Sequence, residues 1–284
     1  MCRHYSATRF SVWSPISVCD VPTERLNGID VYYERAGEGA PLLFLNGSGS
    51  TLAGSAPLIG MYSKHFDVVA HDQRGLGRTS VPDGPYTMAE YAADAAAVAE
   101  AVGWSQYSVV GTSFGGMVAQ ELAATFPERI TRLALVCTSS GGAGGASFPL
   151  HTLADKTPEE RAEIGAQLLD TRFTAQWLAD HESDRALAAM MADRGKVDKT
   201  PDVLRGEALQ LAARADLDVF DRLKNITCPT FVASGRYDGI APPSNGRAIG
   251  EQILDAEFRV YEGGHAFFIQ DRSAFPDIIQ FLQG

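Results

Sequence analysis

A chain of 284 residues that is 45% hydrophobic can bury a large core, and its length fits one domain with an insertion better than two equal domains. Its formal net charge of −11 and isoelectric point near 5.0 argue against nucleic acid or an anionic membrane as a partner. The four cysteines form no Cys-x-x-Cys pair, no apolar run approaches the length of a membrane span, and the first twenty residues lack the apolar centre of a signal peptide. We therefore expect free thiols and a cytoplasmic location.

The chain begins with residues 1–22, which follow neither a helical nor a strand period and are predicted to be an N-terminal extension. Residues 23–34 predict two strands joined by a turn at Asn27-Gly28. Continuous apolar runs, which are typical of strands buried on both faces of a parallel sheet, then recur along the chain. These runs occupy residues 41–46, 66–70, 107–111, 133–137, 230–234 and 257–261.

Helical patterns lie between most of these runs. They occupy residues 52–64, 88–102, 114–126, 244–253 and 273–282. Strands that alternate with helices imply right-handed crossover connections. The sequence therefore predicts an α/β fold with a doubly wound, mostly parallel sheet of eight strands.

Residues 139–224 interrupt this alternation, because they contain a glycine-rich linker and several helical segments but no convincing strand. Thr157 begins a capping box with proline at the first helical position, which predicts a helix start. The linker lacks the lysine of a phosphate loop and is interpreted as a hinge. An insertion of this length after the sixth strand predicts a helical cap over the carboxyl ends of the strands, where ligands bind in such sheets. The predicted core then comprises residues 23–138 and 225–284, with the cap at 139–224.

Residues 111–115 read Gly-Thr-Ser-Phe-Gly and connect a β-branched run to a helical pattern rich in small residues. The order of strand, tight turn and helix is the one in which the serine of a Gly-x-Ser-x-Gly motif becomes a nucleophile. The pattern alone is weak evidence, because a Gly/Ser turn can simply connect two elements. The flanking elements favour Ser113 as a nucleophile placed at a helix N-terminus.

A serine hydroxyl needs a base, and the base needs a partner that holds its tautomer. Of the six histidines, His265 follows the last apolar strand in a loop with glycines, whereas His71 precedes a turn rich in hydrogen-bonding groups and is interpreted as structural. Asp238 follows the strand at 230–234 and is the candidate acid, although a turn aspartate would fit the same position. The order Ser113, Asp238, His265, each just after a strand, is the one expected of this architecture.

An oxyanion formed at the serine would need preformed donors. One is expected to be the backbone N–H of Phe114, and the other that of Ser48, in the loop after the strand at 41–46. Substrate contacts are expected from this loop and from large side chains of the cap, although packing between cap helices is the simpler interpretation for each of the latter. The expected substrate-binding residues are Asn46, Gly47, Phe148, Phe173, Trp177, Met190 and Met191.

Five stretches of the predicted core carry a family resemblance: residues 46–49, 72–80, 111–116, 235–238 with Pro242, and 264–265. Together they resemble the α/β-hydrolase superfamily, and within it the cofactor-free serine hydrolases with a helical cap. The resemblance implies the fold and a triad of Ser113, Asp238 and His265, but it is not specific for substrate.

Two positions refine the resemblance. The family usually has His-Gly where this chain has Asn46-Gly47, and a similar asparagine occurs in sequences that look like 3-oxoadipate enol-lactonases. Serine at position 113 distinguishes the chain from epoxide hydrolases and haloalkane dehalogenases, which have aspartate there. The first difference favours small esters or lactones as substrates.

The leading hypothesis is a hydrolase that cleaves a carboxylic ester or lactone of a small, partly apolar molecule through an acyl-enzyme on Ser113. Neither a metal-ligand spacing nor a dinucleotide fingerprint is present, so no cofactor or metal is expected. Two alternatives stay open: a hydrolase of carbon–carbon bonds in ring-cleavage products, and a ligand sensor that keeps the triad and signals through its cap. The sequence leaves monomer and homodimer equally open.

An arginine of the insertion that faced the pocket would indicate a substrate with a carboxylate. The six candidates are Arg161, Arg172, Arg185, Arg194, Arg205 and Arg214, and solvated helix faces are the expected place for most of them.

Overall fold

A computed structural model of the chain describes residues 23–193 and 199–284. The predicted N-terminal extension, residues 1–22, lies outside the described residues, as does Arg194. Within the described part, no helix is both long enough and apolar enough to cross a membrane.

Among the described residues, the central sheet has seven strands in the order β3-β5-β4-β6-β7-β8-β9. The edge strand β3 pairs antiparallel with β5, and every other neighbouring pair is parallel. This is the doubly wound, mostly parallel arrangement that the alternating pattern predicted. The sheet strands are β3 (Tyr33–Ala36), β4 (Pro41–Leu45), β5 (Asp67–His71), β6 (Tyr107–Thr112), β7 (Ile130–Val136), β8 (Thr230–Gly235) and β9 (Glu257–Tyr261).

The predicted count of eight strands is wrong for the central sheet. Strands β1 (Glu24–Leu26) and β2 (Ile29–Val31) form a separate two-stranded sheet around the predicted turn, where Asn27 and Gly28 both have positive φ, 47° and 80°. The run predicted as one strand divides at Tyr32, because its backbone N–H donates to the Thr79 hydroxyl (3.0 Å) instead of continuing the ladder. Only the part after Tyr32 joins the central sheet.

The helices of the core cover both faces of the sheet. Buried side chains form two apolar layers, one including α2 and α3 and the other α1 and α10. Along β6, Val109 contributes to the first layer and Val110 to the second, as the alternation of a strand requires. The core helices are α1 (Leu52–Tyr62), α2 (Met88–Ala101), α3 (Phe114–Thr125), α8 (Pro243–Gln252), α9 (Phe267–Gln270) and α10 (Ala274–Gln283).

The segment between β7 and β8 is helical, as predicted. It contains α4 (Pro158–Leu169), α5 (Ala175–Asp180), α6 (Glu182–Asp193) and α7 (Pro201–Ala215). The capping box predicted at Thr157 is present, with the Thr157 hydroxyl accepting from the Glu160 N–H. Helix α7 crosses the carboxyl edge of the sheet, where Gly206 packs against Gly75. We call residues 139–224 the helical insertion.

Candidate active site

Ser113 occupies a sharp turn between β6 and α3. Its backbone has φ 56° and ψ −115°, an unfavourable conformation for a residue with a side chain, and it is held by its N–H donating to the Val136 carbonyl (2.8 Å). A Cβ at Gly115 would overlap the carbonyl oxygen of Leu45, and one at Gly111 would overlap the backbone of α3. Two glycines therefore allow strand and helix to approach closely enough to present the serine at the sheet edge.

Three side chains that are far apart in the sequence form a continuous chain of hydrogen bonds. The Ser113 Oγ lies 2.9 Å from Nε2 of His265, and the Nδ1 of His265 lies 2.8 Å from Oδ2 of Asp238. These residues follow β6, β9 and β8, so each comes from the carboxyl end of a parallel strand. The geometry is that of a nucleophile, a base and an acid that orients the base.

Asp238 is fixed by the backbone of its own loop. Its Oδ1 accepts from the N–H groups of Ile240 and Ala241, both at 2.8 Å, and the residue is 3% exposed. The two bonds occupy Oδ1 and leave Oδ2 for the imidazole. The carboxylate is therefore held in one rotamer with one oxygen facing His265.

Two opposing effects act on the imidazole of His265. Burial lowers its pKa, whereas the charge of Asp238 and its hydrogen bond raise it, and the pKa lies well above the usual 6.5. The backbone of the residue is fixed by its N–H, which donates to the Leu169 carbonyl of the helical insertion (2.6 Å). The Asp238 carboxylate thus stabilises the protonated imidazole, the form that a base reaches when it takes the proton of a hydroxyl.

The loop after β4 lies close to Ser113. A Cβ on Gly47 would lie 3.6 Å from the Cβ of Ser113. In this loop the Gly49 N–H donates to Oε1 of Gln210 (2.8 Å) and the Ser50 N–H donates to the Gly47 carbonyl (3.2 Å), whereas Ser48 lines the cavity beside Ser113. On the other side, Phe114 begins α3, where N–H groups have no acceptor within the helix.

A cavity of about 360 Å³ lies over Ser113 and His265 and has a mainly apolar surface. Four of the residues predicted to bind substrate line it: Asn46, Gly47, Met190 and Met191. Both polar atoms of the Asn46 amide are buried without a partner among the described residues, so this amide is available to a ligand.

The other three predicted substrate contacts lie elsewhere, and the structure corrects the expectation for them. Phe173 is 2% exposed in a cluster with Leu187, against which Trp177 packs. The Trp177 ring also stacks on His181 (3.8 Å between centroids). Phe148 does not line the main cavity, and its backbone N–H donates to the Ile240 carbonyl (2.7 Å). Phe173 and Trp177 thus pack within the helical insertion, the simpler interpretation of such side chains.

Much of the apolar cavity wall comes from core elements that sequence reasoning did not select. Their side chains include Leu58, Met61, Phe268 and Ile269. A signal was present, because α1 directly follows the loop of Ser48 and α9 directly follows His265, so both elements had to begin near the site. Among residues 23–193 and 199–284, no three His, Cys, Asp or Glu side chains converge in a way that could hold a metal ion.

The fold and the site define a class of protein. A model of the α/β-hydrolase fold family matches residues 40–272, and the chain belongs to that family.

Two curated relatives and one solved structure are similar along most of their length. A poly(3-hydroxyalkanoate) depolymerase of Ectopseudomonas oleovorans is 29% identical, covering 86% of this chain and 84% of the relative. A 2-hydroxymuconate semialdehyde hydrolase of Pseudomonas putida is 27% identical, covering 86% and 87%. The crystal structure of an enol-lactonase from Burkholderia xenovorans LB400 superimposes with a TM-score of 0.77 at 27% identity, covering 93% of this chain and all of that one. The family and these relatives support a hydrolase, and they leave open which type of bond the enzyme cleaves.

Proposed function

We propose that the chain is a serine hydrolase that cleaves a carboxylic ester or lactone. The observation that supports this most directly is the continuous hydrogen-bond chain from Ser113 through His265 to Asp238, at 2.9 and 2.8 Å. The similarity to an enol-lactonase and to a polyester depolymerase favours ester-type bonds.

In the first half of the reaction, His265 takes the proton of the Ser113 hydroxyl while Oγ attacks the acyl carbon. The negative charge on the acyl oxygen is held by the N–H groups of Ser48 and Phe114. Asp238 stabilises the imidazolium without accepting its proton. The C–O bond to the leaving alcohol then breaks, and the alcohol oxygen receives the proton from His265.

In the second half, a water molecule replaces the alcohol. His265 takes one of its protons as the water oxygen attacks the acyl-enzyme, and the same two N–H groups hold the second oxyanion. Collapse of this intermediate breaks the bond to Ser113, whose oxygen recovers a proton from the imidazolium. The acid leaves, and for a lactone the acid and the alcohol are one molecule.

The cavity supports a small-molecule substrate with an apolar portion. Its volume of about 360 Å³ falls within the usual size range of ligand pockets, and its walls contribute methionine, leucine and phenylalanine side chains. The Asn46 amide and the Ser48 hydroxyl, both without a partner among the described residues, are suited to fix the orientation of a bound molecule. Residues 139–224 would act as a cap that supplies Met190 and Met191.

The test is covalent labelling and turnover at Ser113. We expect a fluorophosphonate probe to modify Ser113, and short p-nitrophenyl esters to be hydrolysed. The Ser113→Ala variant should lose labelling and lower kcat by a factor on the order of 10⁴ or more. Absence of both labelling and turnover in the wild type would contradict the proposal, and tight ligand binding without turnover would favour a sensor.

In a second candidate function, the same triad cleaves a carbon–carbon bond instead of an ester. The similarity to a 2-hydroxymuconate semialdehyde hydrolase favours hydrolysis of a carbon–carbon bond next to a ketone. Comparing kcat/KM for a vinylogous diketone with that for a simple ester separates the two. A ratio strongly in favour of the diketone would replace the ester assignment.

We also propose a cytoplasmic location. Cys137 and Cys228 are buried free thiols, which suits a reducing compartment.

A further inference from the structure

A second cavity lies beside the first and contains a buried guanidinium. Its volume is about 110 Å³, and Arg214 of α7 lines it. Arg214 is 5% exposed, whereas the other arginines of the described helical insertion are at least partly exposed. We call this space the side cavity.

The guanidinium of Arg214 is only partly satisfied. Its Nη1 donates to the Phe148 carbonyl (2.8 Å), but Nε and Nη2 are buried with no partner among the described residues. Burial lowers the pKa of Arg214 to about 10 and the charge of Asp238 acts against this, so the side chain stays positive at neutral pH. A buried cation with free donors is costly unless something neutralises it.

The lining of the side cavity suits an anion. The polar side chains beside Arg214 are those of Ser139, Ser147 and His151, and none of the described residues that line the cavity carries a carboxylate. Asp238 acts on the guanidinium through its charge, but its oxygens already accept from His265, Ile240 and Ala241. The described lining therefore offers a ligand one positive charge with two free guanidinium nitrogens, while the carboxylate of Asp238 is already engaged by other groups.

The side cavity adjoins the proposed reaction centre. Met117 lines it, and the Met117 N–H donates to the Ser113 carbonyl (3.2 Å). The two cavities meet at the segment of residues 146–151, because Pro149 lines the side cavity and the next residue, Leu150, lines the main one.

We propose that Arg214 binds a carboxylate in the side cavity. A planar guanidinium with two free N–H positions matches the two oxygens of a carboxylate. The carboxylate comes either from the acidic end of an ester substrate or from a separate small acid. The inference rests on the proposed hydrolase only for the first of these sources.

The first arm of the test compares matched esters. The substrates are p-nitrophenyl pentanoate and mono-p-nitrophenyl glutarate, which differ by a terminal carboxylate, with the succinate and adipate monoesters to vary reach. Arg214→Met should lower kcat/KM for the best acidic ester roughly 10- to 100-fold, through KM, and change that for the neutral ester less than about 3-fold. Arg205→Met, on the exposed part of the same helix, should leave both unchanged.

The second arm measures binding without turnover. Glutarate is titrated into the wild type, Arg214→Met and Arg214→Lys, and followed by calorimetry and by the thermal midpoint, with chloride as the ionic control. We expect glutarate to bind and stabilise the wild type, to act weakly on Arg214→Lys and to have no effect on Arg214→Met. If Arg214→Met fails to fold, the comparison of glutarate binding by the wild type and by Arg214→Lys tests the proposal.

The outcomes separate this inference from the proposed function. Discrimination between the esters identifies the substrate as the source, and glutarate binding without such discrimination identifies a separate acid. If neither arm depends on Arg214, the side cavity holds water only and the inference is overturned. If no ester is hydrolysed at all, the proposed function fails and the glutarate titration still decides the carboxylate site.

Discussion

The core and the helical insertion are stabilised in different ways. In α3 of the core, eleven of twelve residues are buried, and the helix lies between the sheet and its neighbours. In the insertion, α5 has no buried residue, and α4, α5 and α7 each begin at a threonine whose hydroxyl accepts from a first-turn N–H. The core helices α1 and α2 also begin at threonine caps, worth about 1 kcal/mol each, so the two regions differ in how much packing adds to the caps. Changes in the core should therefore affect chemistry and folding, and changes in the insertion should affect substrate choice.

The strongest test of this comparison exchanges one carboxylate in each region. Asp238→Asn removes the acceptor that holds the His265 tautomer, and we expect kcat to fall by about 10³- to 10⁴-fold, the loss seen on equivalent changes in serine proteases. Since Asp238 raises the pKa of His265, the acid limb of the pH–kcat/KM profile should also move to lower pH. The matched change in the insertion is Asp184→Asn, where the carboxylate accepts from Trp177 Nε1, and it should change kcat less than about 3-fold. Equal losses of kcat in the two variants would contradict the proposed difference between the core and the insertion.

A second test adds one methyl group to each region. In Gly115→Ala the new Cβ would overlap the Leu45 carbonyl, so we expect a loss of more than about 3 kcal/mol in the free energy of unfolding. Nothing lies within 4 Å of a Cβ at Gly165 in α4, so Gly165→Ala should be neutral or stabilise by up to about 1 kcal/mol. Urea denaturation measures both, and a stable Gly115→Ala would show that strand and helix can separate.

A third test uses a buried histidine of the core. Burial lowers the pKa of His71 to about 4, although the charge of Asp94 acts in the opposite direction. The folded state favours the neutral imidazole. The free energy of unfolding therefore carries the full contribution of His71 above pH 6.5, and it falls by about 3 kcal/mol in total as pH falls from 6.5 towards 4. His71→Phe should remove this dependence, so the variant gains stability relative to the wild type as pH falls. Parallel pH profiles for the two proteins would rule out this role for His71.

The smallest expected effect lies in the insertion. Met191→Ala removes an apolar side chain from the wall of the main cavity. Because a long acyl chain loses this contact, we expect a several-fold rise in KM for long-chain p-nitrophenyl esters and little change for the acetate. Leu204→Ala is the control, because Leu204 is 54% exposed and does not line the main cavity. Leu204→Ala should unfold at nearly the wild-type midpoint and Met191→Ala slightly below it, because Met191 packs against the cluster that contains Phe173 and Leu187. A large loss of stability in Met191→Ala would show that this part of the insertion depends on packing after all.

The core of the fold was predictable because its signals are local. Apolar runs marked the parallel strands, and Ser113, Asp238 and His265 could be selected because each follows the end of a strand. The strand count was wrong because Tyr32 bonds to Thr79, a partner far away in the sequence. No local pattern contains that bond.

The insertion was less predictable, for a physical reason. A helical period shows which residues share a face, but not which neighbour that face meets. Met191 therefore lines the main cavity while Phe173 is buried between helices, and both look alike in the sequence. The burial of Arg214 was equally hidden among five similar arginines, because it depends on where α7 crosses the sheet edge.

The backbone at Ser113 has a consequence for how the chain tolerates change. Its φ of 56° suits glycine better than any residue with a side chain, so Ser113→Gly should relax the turn and make the fold more stable. The more stable variant would then lack the hydroxyl that the proposed reaction needs. The proposed nucleophile therefore occupies a backbone conformation that lowers the stability of the fold.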